Sequence, residues 1–415
     1  MRPAVLFALF VLALGVLVHG GLMWTQGWPT VLASPHGRDF ASYYYAIQAA
    51  ASGLDPYRTS ALNTLAQADG TRSSVYPFFY PPPYLLSMVW ALPMSLKSAY
   101  QVWFWADGLF GLAALAGLGL WRRSAALAFG GGVLLATFTP WINNHQMGQA
   151  NLPVLALMVF GLLMVERKHG ALGGALMGAA CMMKMSPGLI VAWWLLRRDW
   201  VPALSACLTA VVLSVAALPL VDAPTQAHFY FKVLPSFSTG DYNGLSVPIL
   251  MFGNHSIPNL WAQLFPGGGQ LSSAARLASG LSNLGLIGLT LALLPRRGDD
   301  GLSRMCAAGA LTVVMLIVPV YTYEHHLSLM ALPLLALCAA IGERRLGWGW
   351  AVVLLLAYVP LAWELSALKA ASLRQPPFQS WILQEIKFVA LLLVGLACVV
   401  AARAKGVKLR GGASV

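Results

Sequence analysis

RKHGALGGALMGAACMMKMSPGLIVAWWLLRRDW, residues 167–200, is an apolar block of bilayer length with a basic pair at each end and Lys184-Met185-Ser186-Pro187-Gly188 across its middle. One continuous helix would carry Arg167-Lys168 and Arg197-Arg198 to opposite faces of a membrane, against the tendency of Lys and Arg to stay on the cytoplasmic side. Pro187 and Gly188 break a helix at the point where a return is needed. The block therefore reads as two short helices that go up and come back, with both basic pairs on one face and Lys184 at the far tip.

The same punctuation runs outward in both directions: Arg122-Arg123, Arg296-Arg297, Arg344-Arg345 and the stretch 403–410 each follow an apolar block. Of 415 residues, 58% are apolar and 10% charged, where soluble domains have roughly 45–50% and 25%. Disordered, collagenous, disulfide-rich and ordinary soluble classes are excluded, and an all-α polytopic membrane protein remains. The net charge of +12 raises the question of a nucleic-acid partner. Its confinement to the ends of apolar blocks makes it a topology signal, and no nucleic acid is expected. Cys181, Cys207, Cys306, Cys338 and Cys398 all lie inside apolar blocks without ligand spacing, so neither a disulfide nor zinc is expected.

Residues 3–24 read as an uncleaved first span with a cytoplasmic N-terminus. A large first external loop, 25–98, follows, with aromatic-rich helices at 39–54 and 83–96 expected to lie in the outer interface. Further spans are expected at 99–121, 125–141 and 152–165, in the two halves of 171–196, and at 201–220. A second external segment, 221–274, precedes spans at 277–294, 305–320, 327–341, 346–363 and 381–402, for about twelve in one membrane domain over residues 1–415. This threading leaves 16 of the 26 Lys and Arg cytoplasmic. Gly/Ala-rich stretches read as helix-packing surfaces.

Four polar groups then fall on the external side. Asp39 stands at the start of the first aromatic helix, at the rim of any external cavity, although a helix-start acid favoured by the macrodipole has the same appearance. Asp55, in Asp55-Pro56, fits a turn better. Lys184 is a costly membrane-embedded cation suited to an anionic partner such as phosphate, or a snorkelling lysine at a hairpin tip. Glu324, His325 and His326 stand between two span ends, where an imidazole could donate to phosphate or exchange a proton, or simply occupy a loop. Asn143-Asn144-His145 and Gly148-Gln149-Ala150-Asn151 form an amide cluster, with helix capping as the plain alternative. A carboxylate, a buried lysine, a histidine pair and amides on one face suit a phosphate and a hydroxyl-rich molecule. No nucleotide-binding glycine pattern is present, so neither a nucleotide-sugar nor an ATP substrate is expected, and no cofactor.

At these residues the chain resembles glycosyltransferase family 87, membrane enzymes of the GT-C superfamily that use polyprenyl-phosphate sugars. The resemblance runs through Asp39-Phe40 to Tyr57, Tyr76 to Pro93, Gly148 to Leu157 with its Gly-Gln-x-Asn, Gly170 to Trp200 with Lys-x-x-Pro between two short helices and then Arg-Arg-x-Trp, and Tyr323 to Leu329 with its histidine. Asn243-Gly244-Leu245-Ser246 matches the family's Asn-x-Ser stretch loosely. The resemblance implies a GT-C bundle that moves one sugar, usually mannose, with arabinofuranose a variant, from a polyprenyl-phosphate donor to a glycolipid or glycan acceptor. It implies an active site on the outer face of the cytoplasmic membrane, with Asp39 as general base and inversion at the anomeric carbon. Lys184, His325 and His326 would stabilise the leaving phosphate without a metal. Tyr43, Tyr44, Asn144, Gln149, Asn151, Tyr323 and Glu324 would line the substrates, with Trp141 another candidate stacking ring. Tyrosine and tryptophan at these places also fit an interfacial belt. A lipid or lipid-linked-sugar flippase, or a lipid-linked oligosaccharide polymerase or ligase, are the competing classes.

Overall fold

The computed structural model describes residues 14, 17–18, 20–33, 37–71, 74–122, 124–237, 241–242, 245–246, 248–268, 270–295 and 300–404. Most of the expected first span, Arg123, Arg296-Arg297, the basic stretch 405–410, and Asn243 with Gly244 lie outside these residues. The described chain is helical, apart from two-residue strands at Asp241–Tyr242 and Leu245–Ser246 that pair antiparallel.

Four helices are long and apolar enough to cross a membrane: Leu96–Trp121, Ser273–Leu293, Glu324–Gly342 and Pro377–Arg403. Two bent pairs, Ala125–Thr137 with Thr139–Met147 and Gly349–Ala362 with Leu365–Ser372, raise the number to six. The chain is thus a multi-pass membrane protein. Five more apolar helices, among them Asn151–Glu166, Gly170–Met183 and Gly188–Arg197, have only 10–17 residues. At about 1.5 Å per residue, each falls short of a hydrocarbon core about 30 Å thick, so length alone supports four to six spans rather than the expected twelve.

The hairpin forms as the sequence requires. Gly170–Met183 ends at Lys184, and Gly188–Arg197 returns after Pro187. Glycine faces let the first arm approach its neighbours closely. A Cβ on Gly174 would sit 2.2 Å from the Pro202 carbonyl oxygen, and one on Gly173 2.5 Å from that of Gly161.

The basic pairs gather at one end. Arg122 binds Glu343 through two nitrogens, Arg304 Nε lies 2.7 Å from Glu166, Arg345 pairs with Asp300, and Arg197 Nη1 reaches the Pro295 carbonyl at 3.0 Å. One turn is used three times here. Lys168, Arg198 and Arg344 each adopt a left-handed backbone, with φ of 65°, 64° and 59°. The next residue's N–H then bonds back to Met164, Trp194 and Ala340 respectively, closing the helix before it.

The opposite end carries the expected first loop, and there the structure departs from expectation. Helix Arg38–Ala51 forms, but Phe40 through Ile47 are buried in an aromatic cluster with Tyr57, Phe78, Tyr84, Tyr100 and Trp103, so it is a core element rather than a surface one. The second expected helix is a 3-10 segment, Pro82–Ala91. The proline run Pro81-Pro82-Pro83 supplies no backbone N–H donors at its start and favours this tighter, short element.

Candidate active site

Asp39 lies in the first turn of Arg38–Ala51, where the helix N-terminus favours a carboxylate. Its Oδ2 accepts a hydrogen bond from Gln149 Nε2. The other end of that amide, Gln149 Oε1, accepts from Tyr80 Oη at 2.7 Å, and Tyr43 Oη donates to Tyr80 at 2.6 Å. Burial, chiefly, pushes the Tyr43 and Tyr80 phenols above their ordinary range, with the Asp39 charge adding to it, so both stay protonated donors.

Backbone contact sets the spacing of Asp39 and Gln149. Gly148 ends helix Thr139–Met147 with φ +70°, a conformation suited to glycine, and a Cβ there would lie 2.5 Å from Phe40 Cβ. A Cβ on Gly37 would lie 2.5 Å from the Met147 carbonyl oxygen.

A second set of bonds starts at Lys184. Its Nζ donates to Asn151 Oδ1 at 2.6 Å, Asn151 Nδ2 to Asn144 Oδ1 at 2.9 Å, and Asn144 Nδ2 to Asp107 Oδ2 at 2.7 Å. Asn144 also binds the backbone of Gln149 in both directions, by its own Nδ2 at 3.3 Å and by its carbonyl, which takes the Gln149 N–H at 3.0 Å. The lysine and carboxylate networks therefore meet at one turn, and the Lys184 and Asp39 charges interact.

Asn151 Nδ2 reaches the His325 carbonyl oxygen at 3.1 Å, bringing the histidine turn to the same place. The His325 and His326 rings are 4.4 Å apart, edge to face. His326 Nδ1 accepts the Tyr323 backbone N–H at 3.1 Å, which leaves Nε2 as the protonated, donating nitrogen of the neutral ring. Lys184 acts electrostatically on both imidazoles, and Tyr323 stands in the field of Asp39. Asp39, Tyr43, Gln149, Asn144, Asn151, Lys184, Tyr323, His325 and His326 are thus brought together, at the end away from the basic pairs.

Three expected residues point elsewhere. Tyr44 gives its hydroxyl to the Met94 carbonyl at 2.7 Å, the Trp141 indole is buried with its N–H on the Ser328 carbonyl at 3.2 Å, and Glu324 turns away to Lys387. Asp55 Oδ1 accepts the Tyr57 N–H at 2.9 Å, the turn that Asp-Pro implies. Tyr80, Asp107, Lys387 and His255 belong to these networks without having been singled out in the sequence. An ionisable residue inside an apolar block is itself a signal, and Asp107 and Lys387 both carry it. Among the described residues no group of three or more His, Cys, Asp or Glu side chains is arranged to hold a metal ion.

The arrangement offers a carboxylate able to take a proton, a cation whose charge acts on it, and imidazole donors, all tied to the 144–151 turn. Residues 78–319, more than half of the sequence, match glycosyltransferase family 87. The chain belongs to glycosyltransferase family 87. The part matching family 87 contains Tyr80, Asp107, Asn144, Gln149, Asn151 and Lys184, whereas Asp39, Tyr323, His325 and His326 lie outside it and are tied to it by the contacts above. Membership of family 87 makes the protein a glycosyltransferase, and a GT-C architecture is consistent with it. Comparison with curated proteins and with solved structures found no match.

Proposed function

We propose that this glycosyltransferase moves one sugar, mannose by family resemblance, from a polyprenyl-phosphate donor to a glycolipid or glycan acceptor at the outer face of the cytoplasmic membrane. Asp39 takes the acceptor's hydroxyl proton as that oxygen bonds to the anomeric carbon from the side opposite the phosphate. The bond from that carbon to the phosphate oxygen breaks, and its electron pair leaves with polyprenyl phosphate, inverting the centre. The leaving group gains one negative charge, which Lys184 and the donors of His326 and His325 stabilise. Tyr43, Tyr80 and Tyr323 border the place where the sugar reacts.

The observation that carries this reading is the convergence of a helix-start carboxylate and a half-buried ammonium on the 144–151 turn, joined through Gln149 and Asn151. An apolar groove of about 420 Å³, lined by Met182, Val211, Val215, Leu218 and Tyr230, runs beside the arm whose tip carries Lys184, and suits the donor's prenyl chain. If the five shorter helices and residues 3–24 also cross, the spans number twelve, with the basic pairs cytoplasmic and Asp39 external.

The test uses purified protein in lipid nanodiscs with synthetic polyprenyl-phosphate-mannose and a lipid extract, following polyprenyl phosphate release by mass spectrometry. Release by the wild type and not by Asp39→Asn, with a matching mass gain on an extract lipid, is the expected result. Release that survives Asp39→Asn removes Asp39 as base. Lipid scrambling without any release would replace the transferase reading with a flippase.

A further inference from the structure

Asp107 is 1% exposed in the middle of the Leu96–Trp121 span and hydrogen-bonds to none of Asp39, Lys184, His325 and His326 among the described residues. Its Oδ2 lies 2.7 Å from Asn144 Nδ2 and 2.8 Å from His145 Nδ1, while its Oδ1 has no hydrogen-bond partner among the described residues. A carboxylate buried in an apolar span with one oxygen unpaired is a costly way to hold two helices together, and a neutral side chain of the same shape would do that more cheaply.

The direction of the bonds gives the carboxylate a purpose. An ammonium can only donate and a carboxylate can only accept, whereas each asparagine amide has one donating and one accepting end. From Lys184 to Asp107 the chain Nζ to Oδ1, Nδ2 to Oδ1, Nδ2 to Oδ2 runs one way through Asn151 and Asn144. Asp107, with the Gln149 carbonyl, draws Asn144 Nδ2 to it, so Asn144 Oδ1 faces Asn151, which turns its own Nδ2 inward, where the His325 carbonyl also accepts it, and its Oδ1 toward Lys184. Each bond polarises the next.

We propose that Asp107 is a positioning residue for the donor-phosphate site, fixing through the Asn144 and Asn151 amides the place of the Lys184 ammonium. The inference rests on the lipid-phosphate reading above. Without the carboxylate, the bonds from Asn144 Nδ2 to the Gln149 carbonyl at 3.3 Å and from Asn151 Nδ2 to the His325 carbonyl at 3.1 Å hold the two amides less firmly, and an Asn151 that flips offers an NH2 group to a cation, which drives Lys184 off the phosphate position.

The test measures binding of a long-chain polyprenyl monophosphate, with the corresponding polyprenol as control, to nanodisc-embedded protein, alongside donor KM and kcat. Asp107→Asn nearly keeps the shape but lets either end of the side chain face Asn144. It is expected to weaken phosphate binding and lower donor kcat/KM about tenfold, at the low end of what a charged hydrogen bond contributes, with the thermal unfolding midpoint held. The double variant Asp107→Asn/Asn144→Asp restores direction, because a carboxylate at 144 accepts from both the new amide and Asn151 Nδ2, and its binding should return to within about threefold of wild type, the lost 3.3 Å bond from residue 144 to the Gln149 carbonyl accounting for the remainder. Should Asp107→Asn not accumulate as folded protein, the double variant decides alone. Unchanged binding in Asp107→Asn, or weak binding in the double variant, overturns the inference. A wild type that binds polyprenol as well as its monophosphate overturns the lipid-phosphate reading itself.

Discussion

Removing Lys387 should destabilise the protein more than removing Lys387 and its partner together. Lys387 is 1% exposed within the Pro377–Arg403 span, and its ammonium binds Glu324, the Trp363 carbonyl at 2.7 Å and, at 3.5 Å, that of Leu361. Glu324 is 4% exposed, with His255 Nε2 3.6 Å from its other oxygen. Lys387→Met leaves a buried carboxylate without its cation, a change that costs ~3–5 kcal/mol. The low end, about 3 kcal/mol, applies because His255 can take up a proton and replace part of the lost charge. Glu324→Gln leaves the ammonium its two carbonyls and should cost about 2 kcal/mol. Glu324→Gln/Lys387→Met buries no charge and should also cost about 2 kcal/mol, so the pair couples by about 3 kcal/mol. Denaturation of the purified protein by titrated sodium dodecyl sulfate reads all four states of the cycle. Costs that simply add, or a Lys387→Met penalty below about 1 kcal/mol, would refute the reasoning.

Acidity supplies an independent check. Burial, aided by Lys387 and opposed by Glu324, holds the His255 imidazole below its ordinary value. Deleting Lys387 lets that value rise back toward the ordinary one, so the stability that a depressed histidine forfeits as pH falls is smaller in the variant than in the wild type. Lys387→Met should therefore be less damaging near pH 6 than near pH 8.

Gln149→Leu removes the donor to Asp39 and the acceptor for Tyr80, and should lower kcat roughly 10–100-fold with donor KM little changed in steady-state release assays. Lys184→Met should lower kcat by about 10²–10³, and Lys184→Arg should recover little, because a planar guanidinium cannot reproduce an ammonium's fit to one amide oxygen. Gly174→Ala places a methyl 2.2 Å from the Pro202 carbonyl and should lower the thermal midpoint in detergent, whereas Gly285→Ala, with nothing within 4 Å, should leave it unchanged. Reversing the Arg122–Glu343 pair should move stability by less than about 1 kcal/mol, both partners being about 30% exposed.

The hairpin and the sorting of basic pairs to one end were legible because they follow from solvation and chain-breaking, which act locally on sequence. Side-chain direction was not, since neighbours in sequence can face opposite ways. Tyr43 and Tyr44 are one helical step, about 100°, apart, enough to send one hydroxyl to Tyr80 and the other to Met94. Glu324 and His325 are successive residues of a 3-10 turn with about 120° between them, so the acid meets Lys387 while the imidazole stays beside His326. Tyr80 precedes a proline run and shows no helical spacing, so nothing local tied it to Gln149. Burial of Arg38–Ala51 was hidden because its aromatic partners, Phe78, Tyr84, Tyr100 and Trp103, lie in other segments.

Where Gly37 and Gly148 meet, main chain lies against main chain, and the separation of the carboxylate from its guiding amide is inherited from that joint. Such a joint divides the surrounding positions by how freely they can drift. On the mechanism proposed above, side chains around Asp39 can be exchanged to suit a different sugar or acceptor while Asp39 and Gln149 keep their spacing. A single methyl at either glycine would shift the whole assembly at once. Diversification of specificity on this scaffold would therefore run through the tyrosines and the histidine turn, with the glycine pair as the fixed reference from which every variant is built.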